Sequence, residues 1–286
     1  MTRLQQIMSD SWVARRADLE NLFAIILPAV KAGNIKQVEA SLGSTGCTMM
    51  AASPYRAAWY ELTDSTLPDD SVAVIRLRGM IYAWTTEFLI NYIRAAESNP
   101  KICGIVLDID GPGGMISHIP QAARAIERCT KPVAAVCTGT MASAHFWLGS
   151  AAAHTFVADS VCEVGCVGVV SSLYSFKRFL DQNGIDFWEI YPDSADLKNI
   201  EVRKLVDEGD ESLVKENAER LNRIFCNAVS KHLNIGYDPK LPLFRGAVFA
   251  GEEAVQLGYI NELGGVDEAV IWVLAEATSR KASELY

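Results

Sequence analysis

From residue 72 onward the chain alternates short apolar runs with segments of helical character, and this rhythm narrows the possible folds more than any other feature. The apolar runs at 72–77, 102–109 and 132–137 lack the in–out alternation of a sheet with one wet face. Between and after them, 86–98, 120–129 and 143–153 have helix-compatible composition and spacing. Strands that are apolar on both faces and separated by helices are buried parallel strands joined by right-handed crossovers. The fold class is therefore α/β. Further helices are expected over 174–183, closed by Gly184, and over 212–233, 252–258 and 266–279, with a strand over 187–191. The first 66 residues differ, with an amphipathic helix expected over 12–27, stopped by Pro28, and a small-residue, turn-rich stretch over 41–53. This divides the chain into an N-terminal helical appendage, residues 1–66, acting as an assembly arm or pro-segment, and a domain over 67–286.

Composition removes several classes of function. Lys and Arg total 26 against 35 Asp and Glu, a net charge of −9, which gives no electrostatic footprint for nucleic acid or an anionic membrane. The longest N-terminal apolar run, residues 22–30, falls well short of the roughly 20 residues that span a bilayer. No membrane anchor is expected, and a cytoplasmic location follows. Seven cysteines, an odd number scattered through apolar runs, read as reduced packed thiols. Cys162 and Cys166 are the one close pair, and no second pair or nearby His completes a four-ligand set, so neither a metal nor another cofactor is expected.

Chemistry in an open parallel sheet gathers beyond the carboxyl ends of the strands. Two such ends carry unusual residues. Gly111, Pro112, Gly113 and Gly114 follow the strand that ends near Ile109, and glycines there can turn backbone N–H groups toward an approaching oxygen. The pattern is neither of the glycine-rich phosphate loops, and taken alone it also fits an ordinary tight turn. Ser143 follows the strand 133–137 and opens a helix, a position suited either to a nucleophile or to a plain helix cap. None of the four histidines has a recognisable partner pattern for a base. A lysine can serve when burial favours its neutral form, and Lys198 lies in a small-residue loop after the expected strand at 187–191. Taken alone, Lys198 equally fits a solvated side chain.

Read together, these segments resemble the signal peptide peptidase A family, serine/lysine peptidases that include capsid-assembly proteases of tailed phages. The resemblance runs from about Val72 to Ala275. It is carried by Gly111-Pro112-Gly113-Gly114, Lys131-Pro132-Val133, Met141-Ala142-Ser143, Val164-Gly165-Cys166-Val167-Gly168 and Val248-Phe249-Ala250-Gly251-Glu252-Glu253. It implies a Clp-peptidase/crotonase-like fold with Ser143 as nucleophile and Lys198, 55 residues later, as general base. It further implies an oxyanion hole from the amides of Gly114 and Ala144, with Gly113 shaping the turn. Cys166 stands where the family usually has a serine that orients the lysine. One catalytic domain without an anchor points to the phage or prophage branch, cleaving a capsid scaffold or portal-associated protein. It also implies a homo-oligomeric ring, for which an exposed apolar face at 271–275 is a candidate contact. Two other readings keep the same fold, a catalytically silent scaffold or assembly subunit and a Clp-like Ser-His-Asp peptidase; a crotonase-type acyl-CoA enzyme would leave the serine unexplained.

Overall fold

The two longest strands, β5 (Ile102–Gly111) and β7 (Val133–Ala142), run parallel at the centre of a nine-stranded sheet. The computed structural model describes residues 31–43, 46–53, 58–173, 175, 177–186 and 188–283, together with 3, 7, 12–14, 22, 24 and 26–29. β4 (Ser71–Arg78) pairs parallel with the other edge of β5. Beyond β7 the neighbour changes along its length: 134–137 pair with β8 (His154–Val157) and 140–142 with β9 (Glu163–Gly165), both parallel. The margins are β2 (Cys47–Ser53), antiparallel on β4 and carrying β3 (Ala58–Tyr60), β10 (Val248–Ala250), antiparallel on β9, and β11 (Glu262–Leu263), parallel on β8. The α/β class with a mostly parallel sheet and crossover helices is thus the observed architecture.

The uniform apolarity of the central strands has a direct cause. Successive strand residues point to opposite faces, and both faces are covered. Ile105, Leu107 and Ile109 of β5 enter one core layer with Ala73, Ile75 and Leu77 of β4. Val106 enters the other with Val72, Val74 and Val136, beneath Val270 and Val273 of the helix Val266–Ser283. The first layer is closed by the crossover helices Ala83–Ser98, Ile119–Glu127 and Ala144–Ser150, and by Ser212–His232. Trp147 and Phe225 stack there with ring centroids 4.6 Å apart and planes 7° from parallel, joining the short helix after Ser143 to the long charged one.

Several expectations are corrected. Residues 12–14 are a short strand, β1 (Trp12–Ala14), rather than the start of a helix; 22, 24 and 26–29 are helical, and the rest of the expected 12–27 helix lies outside the described residues. The stretch read as turn-rich contains β2, because its small side chains Ala51, Ala52 and Ser53 suit a strand laid against β4 with Ala51 opposite Ala73. Residues 188–191 form no strand; Trp188 and Ile190 are 79% and 91% exposed, so the apolar spacing there serves no sheet. The helix expected at 174–183 is Lys177–Gln182, with residues 174 and 176 outside the described set. In the last helix Ile271 is exposed but Val273 is buried in the core, so 271–275 is not one continuous apolar surface.

Replacing Phe225 with alanine should cost about 3–5 kcal/mol, the range for a fully buried aromatic, because the stacking partner of Trp147 is lost and a cavity remains. Urea unfolding of wild type and Phe225→Ala measures it.

Candidate active site

The parallel register sets the carboxyl ends of β5 and β7 next to each other, with Ile109 opposite Cys137 and, after a register shift, Gly111 opposite Met141. From these ends rise the glycine turn and the segment bearing Ser143. Beyond Pro112 the chain forms β6 (Gly113–Met115). Gly113 has φ +115°, a conformation that side-chain-bearing residues rarely adopt. At Gly114 a Cβ would fall 2.0 Å from the carbonyl oxygen of Ile81, so only glycine allows this approach.

Ser143 is a backbone outlier, with φ 58° and ψ −117°. Such a conformation costs of order 1–3 kcal/mol for a residue with a Cβ and persists only where the surroundings enforce it. Here the Ser143 N–H donates to the Gly165 carbonyl at 2.7 Å, and the Ser143 carbonyl accepts from Trp147 N–H at 2.9 Å. The residue is 1% exposed, and its Oγ has no hydrogen-bond partner among the described residues. A buried hydroxyl without a protein partner is uncommon in a native structure. Ala144 opens the helix, so its amide has no acceptor within that helix.

His145, two residues past Ser143, holds the two strand ends together. Its Nδ1 accepts the Gly113 N–H at 3.0 Å, which makes the ring neutral with its proton on Nε2. It is fully buried, and Nε2 has no partner among the described residues. Burial first, and then the positive charge of Arg78, push its pKa down to about 3. In the sequence this histidine has no partner pattern for a base, and its contact with Gly113 is visible only in the structure. With Nδ1 committed to Gly113, it is no base for Ser143. His154 bonds Glu262 at 2.8 Å, and His232 bonds Ser150 and Glu127, each at 3.0 Å. The geometry of a Ser-His-Asp triad is therefore missing among the described residues.

A polar lattice braces the same edge. Buried Asp108 accepts from Arg78 Nη2 at 2.6 Å and from Thr138 Oγ1 at 2.8 Å, while Arg78 Nη1 also donates to the Asp108 carbonyl at 2.8 Å. Asp110 Oδ1 accepts the Thr140 N–H at 2.9 Å. These bonds tie β4, β5 and β7 together where the chain leaves the sheet. Sequence reasoning missed all five residues; the recurrence of Asp and Thr at adjacent strand ends was the available signal.

The remaining sequence candidates fall at different distances from this centre. Gly113, Gly114, Ser143 and Ala144 come together, and Gly113 shapes the turn with its amide taken by His145. Cys166 follows Gly165, whose carbonyl holds the Ser143 amide, and has left-handed φ 56° with its own N–H on the Ala247 carbonyl at 2.7 Å. Lys198 is not brought to Ser143. It lies in an exposed turn after Asp193–Ala195, where the Arg203 guanidinium donates to the Asp196 carbonyl.

At this sheet edge a strained serine meets a glycine turn, and comparison with known proteins defines the class. The model of peptidase family S49 matches residues 125–279, just over half of the chain. The chain belongs to peptidase family S49, which bears out the resemblance read from its motifs. Capsid assembly protease C of Escherichia phage lambda is 28% identical over 239 residues, covering 81% of this chain and 54% of the relative. The chloroplastic serine protease SPPA of Arabidopsis thaliana is 26% identical over 215 residues, covering 70% and 32%. The chain thus spans about half or less of the length of these relatives. Among solved structures, an enoyl-CoA hydratase/isomerase family member is similar with a TM-score of 0.46 at 15% identity, over 84% of this chain and 77% of that one.

The histidine contact makes a prediction with a definite sign. Its folded pKa lies below the ordinary value of 6.5, so the unfolded chain takes up the proton first. Its contribution to stability is full above about pH 6.5 and is lost as pH falls toward 3, by up to about 1.4 kcal/mol per pH unit. His145→Asn, whose side-chain oxygen can accept from Gly113 without titrating, should lose that slope and keep the turn. His145→Leu should cost about 1–3 kcal/mol at neutral pH through the unpaired Gly113 amide. Chemical denaturation of the three proteins at pH 4 and 7 measures both effects.

Proposed function

We propose that the chain is a serine endopeptidase in which Ser143 is the nucleophile and Lys198 the general base. The observation that carries this reading is the buried, unpartnered Ser143 hydroxyl, held in a strained conformation beside the Gly113–Gly114 turn. Lysine in its neutral form takes the proton from Oγ as Oγ attacks the peptide carbonyl carbon. The amides of Gly114 and Ala144 hold the resulting oxyanion, and each such donor is worth roughly 3–4 kcal/mol in comparable sites. The amine leaves with the proton returned by the lysine, and water activated by the same lysine releases the acyl group. Cys166 supports the base from the loop behind the serine.

The exposed position of Lys198 fits a dyad that closes on assembly. Around it Trp188, Ile190 and Leu197 are 79%, 91% and 71% exposed, more apolar surface than one isolated loop ordinarily leaves in water. In a homo-oligomeric ring this segment would be covered, with Lys198 of one copy set against Ser143 of the next. The likeness to the lambda capsid assembly protease suggests a capsid scaffold or portal-associated protein as substrate, cleaved in the cytoplasm or the assembling capsid. No helix among the described residues is long and apolar enough to cross a membrane. The separation of Ser143 from Lys198 also favours a second reading, a silent assembly subunit with the same fold.

Intact-mass measurement after treatment with a fluorophosphonate separates these readings. Wild type should gain one adduct, absent from Ser143→Ala and Lys198→Ala. Mixing those two inactive variants should restore peptidase activity, because some interfaces then pair an intact serine with an intact lysine. An oligomeric wild type that takes no label would favour the silent subunit, and a labelled wild type whose variants fail to complement would place the dyad within one chain.

A further inference from the structure

The protein's own N-terminal strand lies along the glycine turn beside the segment that bears Ser143. On one edge β1 exchanges both backbone hydrogen bonds of Trp12 with Val170: Trp12 N–H to the Val170 carbonyl at 3.1 Å, and Val170 N–H to the Trp12 carbonyl at 3.0 Å. On its other edge β1 runs antiparallel to β6, with Trp12 opposite Met115, Val13 opposite Gly114 and Ala14 opposite Gly113. Neighbouring residues of a strand aim their amides and carbonyls at opposite edges. Since Trp12 faces Val170, Val13 faces Gly114.

The far side of β6 gives the same answer independently. Ile81 N–H donates to the Gly113 carbonyl at 2.9 Å, and Met115 N–H donates to the Ile81 carbonyl at 2.8 Å. Those two residues of β6 face Ile81, which leaves the amide and carbonyl of Gly114 aimed at β1. Val13 and Gly114 are therefore the hydrogen-bonded pair, and the Val13 carbonyl meets the Gly114 amide, one of the two amides assigned above to the oxyanion. Extended backbone held between two edges, with one carbonyl on that amide, is how a peptide would lie for attack.

The strand is anchored from one side chain. Trp12 is 1% exposed, set edge-on to Tyr82 with ring centroids 6.4 Å apart, and Tyr82 stacks on Trp84 at 4.5 Å. Ile7, Ile26, Val38 and Met115 complete this separate apolar cluster. The cluster gives the segment a binding energy of its own, beyond the few backbone bonds of a three-residue strand.

We propose that the segment around Val13 is a built-in substrate mimic, which lies along the substrate path with its Val13 carbonyl at the oxyanion site and keeps other peptides out until it is displaced. This rests on the reading of Ser143 as nucleophile and deepens it. The same geometry defines the peptide that competes for the cleft: an extended chain with a large aromatic side chain immediately before the residue whose carbonyl is attacked, seated against Tyr82 and Met115.

The test uses the full chain and two independent readings, amide hydrogen exchange at Gly114 and Val170 and the rate of fluorophosphonate labelling of Ser143. Val13→Pro removes the N–H that faces the Gly114 carbonyl, and Trp12→Ala removes the anchor while leaving the backbone donors in place. Both variants should speed exchange at the two amides and labelling of Ser143 by about tenfold or more, the effect of losing one or more hydrogen bonds of ordinary strength. Unchanged exchange in both variants would overturn the strand placement, and with it the proposal, whatever the labelling shows. Faster exchange with unchanged labelling would overturn the closure while leaving Ser143 the nucleophile. Faster exchange with no labelling of any protein would overturn the reading of Ser143, and the substrate mimicry with it, while the strand pairing stood.

Discussion

Parallel pairing of β5 with β7, with Ile105 opposite Val133 through Ile109 opposite Cys137, brings the carboxyl ends of both strands to one edge of the sheet. The glycine turn, Ser143 and His145 all stand on that edge. Antiparallel neighbours would send their chains off in opposite directions and place the glycine turn far from the serine. The register shift between Ile109 and Gly111 then lifts the turn off the sheet, so that Gly113 meets His145 instead of continuing the ladder. The crossovers, the apolar layers and the Asp108–Arg78–Thr138 contacts all act to hold these two strand ends in place.

Strain at Ser143 and burial of its hydroxyl both cost stability, and the surroundings show how they are sustained. The backbone bonds from Ser143 to Gly165 and from Trp147 to Ser143 fix the residue on both sides, and Trp147 is in turn stacked on Phe225 of the long helix. His145 adds a second constraint by making the helix after the serine an acceptor for the glycine turn. A neutral, deeply buried imidazole suits this role because it accepts at one nitrogen without bringing a charge near the site. The unpaired Nε2 is part of the same cost, since no described residue accepts its proton.

The central strands were legible because burial on both faces leaves a uniform apolar run, and the glycine turn because few other residues would fit. The bounds of β4, β5 and β7 differ from the sequence reading chiefly where the ladder extends past the apolar residues, as at Asp110 and Thr138. β2 was hidden because Ala51, Ala52 and Ser53 have weak strand preference, and pairing with β4 and β3 makes them a strand. β1 was hidden more deeply: its partners, Gly114 and Val170, are about a hundred or more residues away, and the apolar spacing at 12–14 continues that of the helical residues 22, 24 and 26–29. His145 could be seen as buried but not as an acceptor, since that depends on a neighbouring strand end and on which nitrogen carries the proton. Lys198 shows the opposite limit: the motif order singles it out, while nothing in the sequence of one chain says what it faces.

On the proposed reading, two features would keep this site from working in an isolated chain, and they share a physical logic. Ser143 would lie behind the proposed substrate mimic, and the proposed base lies in an exposed turn away from it. If the chain acts on a scaffold within an assembly, it would gain from both, because an active monomer would cut the scaffold before the shell had formed. Closing a ring over residues 188–198 would bury apolar side chains such as Trp188 and Ile190, and that burial is the driving force for bringing a lysine to a serine. On that reading the N-terminal strand would add a threshold that depends on substrate concentration: inside an assembling shell, peptide segments would be present at high effective concentration and would compete for Gly114 and Val170. Assembly would supply the base and crowding would displace the mimic, so the chemistry would start where both conditions are met.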